Sequence, residues 1–232
     1  MPDEYVHGDH EHAFYRVGFE PGREKPRVLL LHELPGIRST IESFVQRLSA
    51  RFVVTVPSIV GRDGTADWGE TLRHICIRRE VHAIAAGSVS RDVEWLKDFI
   101  EKHVVEGDSP FGVIGMCFSG NFALALAVDP RVKAAVVAEP VLPLWPPALG
   151  LSRDDQRALR EREDLQVRGY RFAKDCISPA VKLISARRLL GARLQVTTLP
   201  GRGHSTLTAD ADENAIDSVE AFLAERLAAA TG

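Results

Sequence analysis

Two short, unbroken apolar runs constrain this chain more than any other feature: Arg27-Val28-Leu29-Leu30-Leu31-His32 and Phe111-Gly112-Val113-Ile114-Gly115. A strand with one wet face alternates apolar and polar residues, whereas an unbroken run fits a strand covered on both faces, as in a parallel sheet. Parallel neighbours need crossover connections, and the chain supplies them. Residues 40–50 place Ile41, Phe44, Val45 and Leu48 at helical spacing, with Ser39 and Thr40 as candidate caps, and Phe52-Val53-Val54-Thr55-Val56 follows as a β-branched strand ended by Pro57. Strand, helix, strand is a βαβ unit.

The alternation continues to the end of the chain. A helix is expected over about 89–103, with Val89, Val93, Leu96 and Ile100 as its stripe, then the second apolar run, an Ala/Leu-rich helix over about 120–128 and a strand over 132–138. A Pro-rich and then charged insert spans about 140–164 and contains a helix starting near Ser152. A strand over 165–173 leads to Asp175, Ser178-Pro179 reads as a helix cap and first helical residue, and Gly191 closes that helix. The last strand, 193–199, precedes His204, and a helix over about 212–229 completes the pattern. The expected fold class is α/β: one domain over 1–232, with a mostly parallel sheet and helices on both faces.

The junction between the second apolar run and the helix after it reads Gly115-Met116-Cys117-Phe118-Ser119-Gly120. Small residues flanking a nucleophilic type at a strand-to-helix turn are what a nucleophile elbow needs, because the chain turns sharply and neighbouring backbone passes close. There the helix N-terminus favours an anionic sulfur, and the Phe118 N–H faces a developing oxyanion. This fold delivers its triad in the order nucleophile, acid, histidine from successive strand ends. Asp175 and His204 meet that order, the acid after one strand and the histidine in the Gly-rich turn after the last. The first strand ends in His32-Glu33-Leu34-Pro35-Gly36, which places Leu34 N–H as the second oxyanion donor. It also places a Glu33 carboxylate where it would hold the thiol protonated. The remaining histidines, including His7, His10 and His12 in a polar terminus read as a disordered end, are weaker candidates.

Composition narrows the partners. The 232 residues carry 29 Lys+Arg against 32 Asp+Glu, a net charge of -3, too balanced for a nucleic-acid or anionic-membrane surface. The first residues lack a basic and apolar leader, and no apolar run approaches the roughly 18 residues of a spanning helix, so a cytoplasmic protein is expected. The cysteines, Cys76, Cys117 and Cys176, have neither disulfide nor metal-site spacing.

At these residues the sequence resembles the dienelactone hydrolase family of α/β-hydrolases. The markers are Leu31-His32-Glu33-Leu34-Pro35-Gly36, Val56-Pro57-Ser58-Ile59-Val60, the Cys117 elbow, Asp175 and Gly203-His204-Ser205. The resemblance implies that Cys117, Asp175 and His204 form the triad and that Leu34 and Phe118 supply the oxyanion amides. It implies that Glu33 interacts with the resting thiol until an anionic lactone displaces it. It also implies two substrate-binding arginines. Arg78 or Arg79 matches the first; the second is missing from Ser205-Thr206-Leu207-Thr208, where Arg202, just before His204, is the substitute. Trp145, in the Pro-rich insert, is a further candidate for an apolar rim over the site.

The activity expected is hydrolysis of a carboxylic ester or lactone through a cysteine acyl-enzyme, with no cofactor and a small-molecule partner whose charge stays open. Two readings from other classes compete. One is a non-catalytic protein of the same fold that binds a small acid or a protein, and the other is a thiol redox sensor at Cys117.

Overall fold

Residues Arg27–Leu31 and Phe111–Met116 are the strands expected from the two apolar runs, and they pair in parallel at the centre of the sheet. Their side chains divide between two cores, which explains the lack of alternation. Leu29, Leu31, Phe111 and Val113 enter one apolar layer, while Val28, Leu30, Ile114 and Met116 enter the layer on the opposite face. The computed structural model describes residues 4–7, 13–59, 91–141 and 148–231.

In chain order the strands are β1 (Glu4–His7), β2 (Ala13–Val17), β3 (Arg27–Leu31), β4 (Val53–Pro57), β5 (Phe111–Met116), β6 (Val132–Ala138), β7 (Gln166–Phe172) and β8 (Leu194–Leu199). They form one sheet in the order β1-β2-β4-β3-β5-β6-β7-β8. From β4 to β8 every pairing is parallel; β2 pairs antiparallel with β1 and with β4. The first residues therefore depart from the disordered end expected of them. An edge strand of four residues, Glu4-Tyr5-Val6-His7, is too short for a periodic signal to mark it.

The described helices are α1 (Ser39–Ser49), α2 (Arg91–Phe99), α3 (Gly120–Leu126), α4 (Arg153–Glu161), α5 (Val181–Leu190) and α6 (Glu213–Thr231). α1 and α6 cover one face, through Ile41, Phe44, Val45 and Leu48 and through Ile216, Val219, Leu223 and Leu227. α2, α3, α4 and α5 cover the other, with Leu96, Phe122, Leu159 and Leu183 among the buried contacts. Helices on both faces are as the sequence requires. The helix expected over 89–103 leaves regular α geometry at Ile100 and finishes as a π-helical turn, Ile100–Val104.

Two connections bear on the site. Ser152 caps α4 reciprocally: its Oγ accepts from the Asp155 N–H at 3.0 Å, and Asp155 Oδ2 accepts from the Ser152 N–H at 2.9 Å. Ser178, in contrast, is not a helix cap. α5 begins at Val181, and Ser178 donates its hydroxyl to the Pro140 carbonyl at 2.9 Å instead. Asp175 Oδ1 accepts the Ile177 and Ser178 N–H groups and holds the chain in a turn, and the helix starts two residues later than expected.

Candidate active site

Parallel strands deliver their following loops to one edge of the sheet, and β3, β5, β6, β7 and β8 bring Glu33, Cys117, Glu139, Asp175 and His204 there. At the end of β5, Cys117 takes φ = 55°, a left-handed conformation that costs a non-glycine residue energy and is kept where surrounding structure enforces it. The enforcement is visible in the neighbours. A Cβ on Gly115 would lie 2.4 Å from the Ser119 carbonyl oxygen, so only glycine fits there. Ser119 Oγ accepts from the Met116 N–H at 3.0 Å and lies 2.8 Å from the Leu31 carbonyl oxygen, which ties the turn to β3.

Asp175 is built to orient an imidazole. Its Oδ1 accepts the N–H groups of Ile177 and Ser178, at 2.8 and 3.0 Å, and its Oδ2 lies 2.8 Å from Nδ1 of His204. Because an ionised carboxylate only accepts, Nδ1 carries the hydrogen and Nε2 is left as the acceptor. Nε2 is buried and has no hydrogen-bond partner among the described residues, Cys117 included. Beneath this loop the buried Arg171 donates to the Ser178 carbonyl at 3.1 and 3.2 Å and to that of Asp175 at 3.4 Å.

The thiol environment favours the protonated form. Burial pushes the Cys117 thiol up to about 12, and the negative charge of Glu33 adds to the rise. The backbone N–H groups of Phe118 and Leu34 act on the sulfur in the opposite direction. Both amides named from the sequence as oxyanion donors thus interact with the sulfur itself. Glu33, 3% exposed, accepts from Ser205 Oγ at 2.6 Å and from Thr208 Oγ1 at 2.5 Å. His32 braces the same loop, its Nε2 accepting the Ile59 N–H at 2.9 Å.

Arg78, Arg79 and Trp145, named from the sequence as substrate-binding, lie outside the described residues, as do His10, His12 and Cys76. Arg202 is exposed beside His204. The sequence reading missed the role of Ser205, Thr206 and Thr208, whose hydroxyls hold carboxylates rather than leaving room for a cation. It also missed Glu139, which directly follows β6. The available signal was a charged residue set between the apolar stretch Ala134–Ala138 and a proline.

A mostly parallel sheet clad on both faces, with a strained residue at the turn from its central strand into a helix, defines an α/β-hydrolase. The chain belongs to the dienelactone hydrolase family, whose model matches residues 15–225. It is accordingly a hydrolase. Among solved structures it is similar to a dienelactone hydrolase-like promiscuous phosphotriesterase from metagenomic libraries, at 18% identity and TM-score 0.67, covering 93% of this chain and 92% of that one. It is also similar to a monoglyceride lipase from Saccharomyces cerevisiae, at 13% identity and TM-score 0.65, covering 96% and 95%. A third likeness is to acetyl xylan esterase 1 from Thermoanaerobacterium, at 16% identity and TM-score 0.58, covering 95% and 81%. At these identities the likeness is one of fold. No curated protein matches the chain by sequence. Among the described residues no helix is long and apolar enough to cross a membrane.

Proposed function

We propose that this hydrolase cleaves a carboxylic ester or lactone through an acyl-enzyme on Cys117. The observation that carries the reading is the 2.8 Å contact between Asp175 Oδ2 and His204 Nδ1, with Nε2 unpartnered at the sheet edge that also carries Cys117. In this reading His204 Nε2 takes the thiol proton as sulfur attacks the acyl carbon, and Asp175 stabilises the imidazolium. The carbonyl π electrons move onto oxygen, where the Leu34 and Phe118 amides receive them. Collapse expels the alkoxide, protonated by His204, and leaves the thioester. Water, deprotonated by His204, then repeats the sequence and releases the acid.

A thiol at about 12 is almost wholly protonated at neutral pH, so the resting enzyme is a poor nucleophile until substrate alters the site. Glu33 is one source of that suppression. A substrate that neutralises or displaces its charge would release the thiol, in keeping with the family resemblance. An anionic ligand group would need Arg78, Arg79 or Arg202, since the segment after His204 carries hydroxyls.

Intact-mass measurement during turnover of para-nitrophenyl esters and aryl lactones, with and without a carboxylate, tests the reading. The expected result is a transient acyl adduct that is absent from Cys117→Ala, together with loss of turnover. Full turnover by Cys117→Ala would refute it.

A further inference from the structure

Glu139 has no part in the chemistry set out above, yet it lies at the centre of the same sheet edge. It follows β6, beside the strand that carries Cys117, and is 0% exposed. Its backbone takes φ = 36°, so it and Cys117 are the two described non-glycine residues with positive φ. Strain of that kind persists where the surrounding structure over-determines it. Pairings on either side supply the constraint: the Glu139 N–H donates to the Tyr170 carbonyl at 2.7 Å, and the Val141 N–H to the Cys117 carbonyl at 3.2 Å.

The side chain is asymmetric in its contacts. Oε2 accepts from Thr206 Oγ1 at 2.5 Å and from the Thr206 N–H at 3.3 Å, two residues beyond His204. Oε1 is buried without a hydrogen-bond partner among the described residues. Among the described residues no cation is paired with the carboxyl. The titratable groups acting on it include Glu33 from the loop after β3 and Asp175 from the loop after β7, and it in turn acts on Cys117. The buried cations Arg171 and Lys182 are committed elsewhere, Arg171 to the carbonyls of Asp175 and Ser178, and Lys182 to the Ala148 carbonyl and Asn121 Oδ1.

An ionised carboxylate buried without a counter-charge, beside two other carboxylates, is among the costliest arrangements a protein interior can hold. Protonation removes that cost while leaving Oε2 able to accept from Thr206. We propose that Glu139 is a positioning residue for this active site: held as the neutral acid, it anchors the His204 loop through Thr206 and keeps a further negative charge away from the thiol. Burial and the neighbouring carboxylate Glu33 both push its titration well above the ordinary range, while Thr206 opposes them.

The proposal rests on the acyl-enzyme reading for its kinetic consequence but not for its protonation state, so two measurements separate them. In the first, rapid-mix mass spectrometry follows acylation of Cys117 by para-nitrophenyl butyrate across pH. Glu139→Gln, an isostere of the neutral acid, is expected to acylate at a rate within about threefold of wild type at neutral pH, whereas Glu139→Ala slows by at least about tenfold with KM little changed. At alkaline pH the wild-type rate falls below that of Glu139→Gln, because only the wild type gains a charge there. Thr206→Val serves as a second variant should Glu139→Ala fail to fold. Its expected loss resembles that of Glu139→Ala and does not add to it, since the two act through one bond.

In the second measurement, denaturant unfolding compares wild type with Glu139→Gln as a function of pH. A carboxyl whose folded value is raised takes up a proton on folding, so its contribution declines from the unfolded value near 4.5 upward. The stability of wild type relative to Glu139→Gln is therefore expected to fall with rising pH. A difference that is flat or rises overturns the neutral acid whatever the chemistry at Cys117. Equal acylation losses for Glu139→Gln and Glu139→Ala, or none for Glu139→Ala and Thr206→Val, overturn the positioning role. Absence of any adduct in the wild type refutes the acyl-enzyme reading alone.

Discussion

Ser205 donates a 2.6 Å hydrogen bond to Glu33 Oε2, joining the residue after the candidate imidazole to the residue before a candidate oxyanion amide across 172 positions of sequence. Thr208 donates to the other oxygen of the same carboxylate. The loop after β8 and the loop after β3 are thus tied together by two hydrogen bonds. A carboxylate so placed does two things, fixing the geometry of two chemical groups and setting the field at the sulfur between them.

The field has a measurable consequence. Glu33→Gln keeps one acceptor oxygen, turns the other into an amide donor against a hydroxyl that can rotate to accept, and removes the charge, so Cys117 is expected to alkylate with iodoacetamide roughly three- to tenfold faster than in wild type at mildly alkaline pH. An unchanged rate, with peptide mapping to separate Cys117 from exposed Cys176, would show that burial alone holds the thiol up.

The anchoring role of Glu33 is tested through its partners. Thr208→Val removes a donor from a buried carboxylate at almost constant volume, and a loss of about 1–3 kcal/mol in urea unfolding is expected. A loss below a few tenths would mean that the bond is dispensable.

The acid of the His204 pair is expected to act through orientation. Asp175→Asn retains an acceptor at one position but presents an amide to Nδ1, which reverses the tautomer. A fall in kcat of about a hundredfold or more on para-nitrophenyl butyrate is expected, with the fold preserved by circular dichroism. A fall of less than about threefold would show that His204 needs no partner.

The elbow depends on the absence of one methyl group. Gly115→Ala would set a Cβ 2.4 Å from the Ser119 carbonyl oxygen and 2.7 Å from the Ala123 Cβ, so either α3 or the strand must shift. The cost expected is about 1–3 kcal/mol of stability, with a larger proportional loss of activity because the thiol moves with the turn. Retention of full activity would show that the turn is more tolerant than its packing indicates.

Lys182 supplies a pH signature of its own. Its burial lowers the ammonium to about 7, from 10.5 in the open chain, so folding releases a proton across that interval. The sign follows: this contribution strengthens as pH rises from about 7 toward 10.5 and weakens as pH falls through it. Measured as the difference between wild type and Lys182→Met, stability is expected to rise with pH over that range. A flat difference would place the amine in water.

Much of this architecture was written in local pattern. The unbroken apolar runs of β3 and β5, the α1 stripe and the β6 boundaries, residues 132–138, were legible because a strand covered on both faces and a helix covered on one each have a fixed periodicity. The elbow was legible too, since glycine is required wherever backbone must pass within van der Waals distance. So was the placement of Asp175 and His204 after successive strands, where their side chains meet. The edge strand β1 was not, because four residues are too few for a period to stand out.

What the sequence alone determined was the order of the parts and the side-chain types at the strand ends. Tertiary structure decided how those ends are wired. Ser178 became a tether to Pro140 rather than a helix cap, Ser205 and Thr208 became a clamp on Glu33, and Glu139 became a buried acid leaning on Thr206. Periodicity reports whether a residue is covered. Which partner satisfies a buried polar atom depends here on groups 38 to 175 positions away, and only the folded sheet brings them within hydrogen-bonding reach.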